Sequence, residues 1–244
     1  MMDGLLLLHA WPLDARMWAP QREALPADLA VVAPDHPGFG SAPLAGPVTT
    51  MEACARHALE ALDAAGVERA VVCGLSLGGY VAFEIWRRAR ERVLGLVLAN
   101  TRAVADPPEA AQARRDLAAR LRREGNLLAT DPPKLLAPDA PAELAERVRA
   151  LIADQSAEAI AAALEGMAER PDSTPDLPGI SVPTLVVTST QDQLIPHEVS
   201  AAMAEQIPGA RLEIIEGVGH LSNLEAPERF TALLLEHLAA CGLR

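Results

Sequence analysis

The chain has 244 residues, 50 % hydrophobic and 22 % charged, with a formal net charge of −12, which is enough for one large α/β domain or two small ones. An acidic balance of this size argues against nucleic acid and anionic membrane surfaces as partners. No apolar stretch approaches the roughly 20 residues of a membrane span, and the N-terminal leucines lack the basic flank of a secretory signal, so the expected location is the cytoplasm. Three scattered cysteines, Cys54, Cys73 and Cys241, have neither metal-ligand spacing nor the even count of a disulfide framework.

Taken in order, the chain alternates short apolar runs with helical patterns. Leu5–Leu8 is continuously hydrophobic, as buried parallel strands are, and leads into His9-Ala10-Trp11-Pro12. Ala30–Ala33 is a second such run, followed by Pro34-Asp35-His36-Pro37-Gly38-Phe39-Gly40. Met51–Ala65 has apolar residues at helical spacing and stops at Gly66. Ala70–Cys73 runs into Gly74-Leu75-Ser76-Leu77-Gly78, after which Leu77–Arg90 reads as helix. Leu94–Leu98 is the fourth strand-like run, with Arg102 shortly beyond it. Thr184–Thr188 precedes Asp192, and a helix is predicted over Val199–Ile207. Arg211–Ile215 precedes His220, and Pro227–Cys241 is a closing helix. Strands alternating with helices predict an open, mostly parallel sheet covered on both faces, with ligands at the carboxyl ends of the strands.

Residues 103–179 break this rhythm. They hold no strand-like run and no aromatic residue, and prolines interrupt three helical stretches near Glu109–Glu124, Ala142–Asp154 and Ala157–Glu169. A structureless excursion of this length is rare. The segment is expected to be a helical cap inserted into a core formed by residues 1–102 and 180–244. Leu117, Leu121, Leu128, Leu135, Leu151 and Met167 are the apolar residues available to line a pocket beneath it, or to form the cap's own core.

The five residues from Gly74 to Gly78 fit a nucleophile elbow, in which a serine sits on a sharp strand-to-helix turn. The pattern alone arises by chance in roughly a few per cent of such chains, so its context carries the argument. A serine there could also be a helix N-cap. Acyl transfer by serine needs a base, and a carboxylate to orient that base. Asp192 and His220 follow Ser76 in the order this fold requires, each just past a predicted strand. Asp172 and Asp176 are alternative acids, and Asp192 could be a simple turn residue. His57 and His237 fall on predicted helices, His197 at a helix start, and His9 and His36 in loops. Asp35 reads as a turn residue. Arg102 could bind a substrate carboxylate, although a salt bridge is the commoner use of such an arginine.

These motifs, spread over nearly the whole chain outside residues 103–179, resemble the α/β-hydrolase superfamily, and in particular small capped esterases and lactonases similar to 3-oxoadipate enol-lactonases. The resemblance rests on Leu7-Leu8-His9-Ala10-Trp11-Pro12, the Asp35–Gly40 loop, the elbow, Gln191-Asp192-Gln193-Leu194-Ile195-Pro196, and Gly219-His220 through Glu225 with Pro227-Glu228-Arg229-Phe230. It implies Ser76 as nucleophile, His220 as general base and then acid, and Asp192 as the orienting carboxylate. The oxyanion hole would be the backbone N–H groups of Trp11 and Leu77, and no cofactor or metal is implied. His9 and His36 match loop positions with structural roles. Two departures stand out. Ala10 replaces a usual glycine, and the chain begins almost directly with the strand before the oxyanion loop, without two antiparallel strands. Six parallel strands in the order 2-1-3-4-5-6 are therefore expected, with Ala30–Ala33 as an edge where a second copy could dock as a homodimer.

The resulting expectation is a cofactor-free serine hydrolase that cleaves a small carboxylic ester or lactone through an acyl-enzyme. Carbon–carbon bond hydrolysis and perhydrolysis remain open on the same residues. So does a different class, a capped-pocket ligand receptor or signalling protein with weak hydrolysis. The sequence names no acyl group.

Overall fold

A computed structural model describes residues 2–243. Its strands are β1 (Met2–Leu8), β2 (Val31–Val32), β3 (Val67–Leu75), β4 (Val93–Ala99), β5 (Thr184–Ser189) and β6 (Arg211–Ile215). They form one sheet in the order β2-β1-β3-β4-β5-β6, and every neighbouring pair is parallel. This is the predicted order. Leu5 to Leu8 are wholly inaccessible, as expected for a strand whose two faces are both covered by helices.

The helices are α1 (Ala19–Ala24), α2 (Met51–Ala64), α3 (Leu77–Ala89), α4 (Pro108–Glu124), α5 (Ala142–Ala153), α6 (Ala157–Ala168), α7 (His197–Ala204), α8 (Ser222–Glu225) and α9 (Pro227–Ala240). Local chemistry sets several of their ends. Thr50 caps α2 by accepting a hydrogen bond from the N–H of Ala53 at 3.1 Å, and Ser156 caps α6 through the N–H of Ala159 at 3.1 Å. The predicted helix over Val199–Ile207 instead starts at His197, directly after Pro196, and ends at Ala204. The single turn α8 was not anticipated.

Two strands differ in length from their sequence signatures. β3 is longer than the run Ala70–Cys73, because Val67 and Arg69 pair with Met2 and Asp3 of β1. β2 shrinks to Val31–Val32, paired with Leu5 and Leu6. A two-residue edge strand leaves few unpaired backbone groups for another chain to extend.

Between β4 and β5 the chain makes no strand and instead builds α4, α5 and α6. This inserted segment is tied to the loops that follow β1 and β2. Gln155 donates to the Asp14 carboxylate at 2.7 Å and accepts from the N–H of Gly40 at 3.0 Å, and Thr49 N–H donates to Ala162 O at 3.0 Å. At Gly166 the approach is so close that a Cβ would lie 1.8 Å from Thr49 O. Alanine normally stabilises a helix interior relative to glycine by about 0.5–1 kcal/mol. Gly166→Ala is expected to do the opposite here, lowering stability by roughly 1–3 kcal/mol because a backbone oxygen cannot step aside. Thermal unfolding of the two proteins measures the sign.

Candidate active site

Ser76 occupies the turn between β3 and α3 with φ 56° and ψ −111°, a conformation non-glycine residues adopt only when their surroundings hold them there. Its N–H donates to Ala99 O at 2.9 Å, and its carbonyl accepts from Gly79 N–H at 2.9 Å and from the Thr101 hydroxyl at 2.8 Å. The turn is also wedged from beneath: a Cβ on Gly78 would lie 2.2 Å from Leu8 O. The side chain of Ser76 makes no capping bond to α3, so the N-cap alternative is not what the hydroxyl does. Ser76 and His220 line the same small cavity, of about 160 Å³. Among the described residues, four larger depressions, one of them of about 530 Å³ between α1 and α9, are lined by no histidine.

His220 follows β6, and its Nδ1 lies 2.7 Å from Asp192 Oδ2. Both side chains are almost completely buried. Asp192 is further held by the N–H groups of Leu194 and Ile195, at 2.9 and 3.0 Å, and by Asn100 Nδ2 at 3.0 Å. Burial pushes its carboxyl upward, but the hydrogen bonds from His220, Ile195 and Asn100 outweigh that and hold it below the usual range. An ionised Asp192 fixes the His220 tautomer, with the proton on Nδ1 and Nε2 left free to accept. The alternative acids are engaged elsewhere: Asp176 pairs with Arg87 at 2.7 Å, and Asp172 accepts from Thr174 N–H at 2.8 Å.

Asn100 is a residue that the sequence reading missed. It lies just past β4 with φ 43°, in a region asparagine tolerates better than most residues. Besides Asp192, its amide donates to the Ser189 hydroxyl at 2.7 Å and its oxygen accepts from the Ser222 hydroxyl at 2.6 Å. Ser189 in turn donates to Gly219 O at 2.5 Å. The buried network joins β4, β5, the His220 loop and α8. Glu225 closes that loop, accepting from Gly219 N–H and from Ala137 N–H of the inserted segment, both at 2.9 Å. Replacing Asn100 by alanine strands buried partners at a strained φ, and is expected to cost about 2–4 kcal/mol, measurable by urea denaturation.

The other histidines are placed apart from the cavity. His57 lies half-buried on α2 and His197 opens α7. Burial pushes the imidazole of His237, on α9 beside Cys241, down to about 4. His9 Nε2 accepts from His36 N–H at 2.8 Å, and His9 Nδ1 lies 3.1 Å from Ala10 O. His36 Nε2 lies 3.1 Å from His9 O. These bonds shape the loop after β1, as expected, and Asp35 ties the same region together through Ala15 N–H and Ser41 N–H at 2.9 Å each. Burial holds both His9 and His36 below the ordinary imidazole value of 6.5. Unfolded, they would take up protons near that value, so stability is expected to be full above about pH 6.5 and to fall as the pH drops below it. A lower urea midpoint at pH 5.5 than at pH 7.5 is the expected result.

The N–H groups of Trp11 and Leu77 have no acceptor among the described residues. Trp11 lines the cavity, and its indole donates to Ile160 O of α6 at 3.3 Å. Of the six apolar residues considered for the lining, only Met167 reaches this cavity. Leu121, Leu128, Leu135 and Leu151 are buried in the hydrophobic core and Leu117 packs against it. Tyr80, Pro133, Leu194 and Ile195 line the cavity instead. Arg102 lines it too while pairing with Asp106, and Arg114 of α4 joins both. Burial raises the Asp106 carboxyl, yet hydrogen bonds from Arg170 and Arg114 bring it down to about 2.

A family model described as the alpha/beta hydrolase family matches residues 5–233. The chain belongs to this family. Among solved alpha/beta hydrolase structures, it is similar to a thermophilic esterase from Thermogutta terrifontis with malate bound, at a TM-score of 0.94 and 41 % identity, over 99 % of this chain and 90 % of that one. The enol-lactonase from Burkholderia xenovorans LB400 gives a TM-score of 0.86 and 29 % identity, over 98 % and 92 % of the two chains. A 2-hydroxymuconate semialdehyde hydrolase of Pseudomonas putida is 32 % identical over 86 % of this chain and 76 % of its own. These relatives share hydrolysis and differ in substrate.

Proposed function

We propose that the chain is a serine hydrolase of small carboxylic esters or lactones, working through an acyl-enzyme. The observation that carries this reading is the cavity shared by Ser76, in its strained turn, and by His220, whose far ring nitrogen is bonded to the buried Asp192. In the proposed cycle His220 Nε2 takes the proton of Ser76 Oγ as that oxygen attacks the carbonyl carbon. The tetrahedral oxyanion accepts from the N–H groups of Trp11 and Leu77, donors fixed before the charge develops. Collapse breaks the bond to the alcohol, which leaves with the proton from His220. Water, deprotonated by His220, then attacks the acyl carbon and releases the acid and the free serine.

Residues 103–179 act in this reading as a cap over a core of residues 1–102 and 180–244. Its support is the contribution of Pro133, Arg114 and Met167 to the cavity. The size of the cavity, about 160 Å³, lies below the range of roughly 300–1,000 Å³ that holds drug-sized ligands, and favours a small substrate.

Steady-state hydrolysis of p-nitrophenyl acetate tests the reading. Ser76→Ala is expected to lower kcat by roughly 10⁴–10⁶-fold, and a fluorophosphonate probe should label Ser76 in the native protein but not in His220→Ala. Labelling of a different serine, or saturable ligand binding without turnover that survives Ser76→Ala, would sink it.

A further inference from the structure

Three arginines meet one carboxylate at the wall of the cavity. The Asp106 side chain is fully buried, and Arg170 takes it in a fork, with Nη1 2.9 Å from Oδ2 and Nη2 3.0 Å from Oδ1. Arg170 is itself buried, bonded to the carbonyls of Met167 and Val104, and seated with its guanidinium 4.2 Å from the centre of the Tyr80 ring. This pair is electrically complete. Arg102 and Arg114 nonetheless add one contact each to the same carboxylate, so three cations surround one anion.

The surplus charge faces the cavity. Arg102 and Arg114 keep 23 % and 22 % of their side chains exposed, against 3 % for Arg170, and both line the cavity with Ser76 and His220, where no carboxylate does. Among the described residues, Arg102 Nε is buried without a hydrogen-bond partner, as is Arg170 Nε, and the only polar contact of Arg114 beyond Asp106 is a 3.5 Å approach of Nη1 to Met167 Sδ. Asp172 lies near enough to Arg170 to feel its charge but is solvent-exposed and bonded to Thr174. A guanidinium withdrawn from water with unmet donors is costly, and a planar carboxylate offers the geometry that two such groups bind best. Arg170 by itself already gives Asp106 a two-point partner.

We propose that Arg102 and Arg114 form a carboxylate-binding subsite, and that the preferred substrate is a small ester or lactone carrying a free carboxylate. The substrate half of this rests on Ser76 acting as the nucleophile; the subsite itself does not. Asp106 and Arg170 are positioning residues that hold the two guanidiniums at the cavity wall.

Two measurements test the proposal separately from the hydrolase reading. The first compares kcat/KM for monoethyl succinate with that for ethyl levulinate, its neutral isostere. A preference of at least about tenfold for the charged ester is expected, carried mainly by KM, and the ratio should fall towards one in Arg102→Gln and Arg114→Gln. The second is titration calorimetry with succinate, whose binding should be at least about tenfold weaker in either variant and should weaken with added salt. If p-nitrophenyl acetate and both esters are left intact but succinate binds through both arginines, the hydrolase reading fails and the subsite stands. If esters are hydrolysed without preference for the charged one and succinate does not bind, the subsite is overturned. Inorganic phosphate binding more tightly than succinate would also overturn the carboxylate assignment. Should a variant fail to fold, the ratio for the two esters and the salt dependence of succinate binding in the unaltered chain decide the matter alone.

Discussion

Leu8, at the end of β1, and Gly78, in the first turn of α3, approach so closely that no side chain can stand between them: a Cβ on Gly78 would lie 2.2 Å from Leu8 O. This contact sets how deep α3 sits on the sheet. With α3 that close, the chain leaving β3 must reverse within one residue, and Ser76 takes up the strain at φ 56°. The same contact brings the loop after β1, with Trp11, to the cavity that Ser76 lines. Hydrogen bonds to Ala99 O and from Thr101 then lock the turn from the β4 side, so the strain is held by the sheet rather than by the serine's own neighbours.

A second set of constraints holds the other half of the site. Asp192 and His220 leave different strands and meet in the interior, where a carboxylate without partners would be neutralised. His220, Asn100 and two backbone N–H groups supply those partners, and Asn100 is in turn held by Ser189 and Ser222. Because each member touches a different element, the network registers β4, β5 and the His220 loop against one another, and Glu225 extends that register to the inserted segment. Networks of this kind are satisfied only in one arrangement, which is how a buried polar cluster specifies geometry.

Charge is distributed unevenly across the molecule. The chain as a whole is acidic, yet the cavity is lined by Arg102 and Arg114 and by no acidic residue. Composition reports a sum, whereas a ligand meets a local field. The overall charge of −12 is therefore a poor guide to the charge of what enters the cavity.

The amino-acid sequence by itself determined the sheet. Continuous apolar runs identify strands buried on both faces, helices between them force parallel order, and the six strands assemble in that order. It also singled out Ser76, Asp192 and His220 as candidates, because elbow glycines and strand ends are local features that leave a local pattern. Tertiary structure decided what those residues touch. Nothing near Asn100 in the chain predicts a bond to Ser189 or Ser222, about a hundred residues away. Leu121 and Leu151 match the helical periodicity of pocket-lining residues but pack into the core, while Pro133 and Ile195, which carry no periodic signal, reach the cavity. Periodicity reports that a side chain is buried, and only the packing of distant elements fixes what it is buried against.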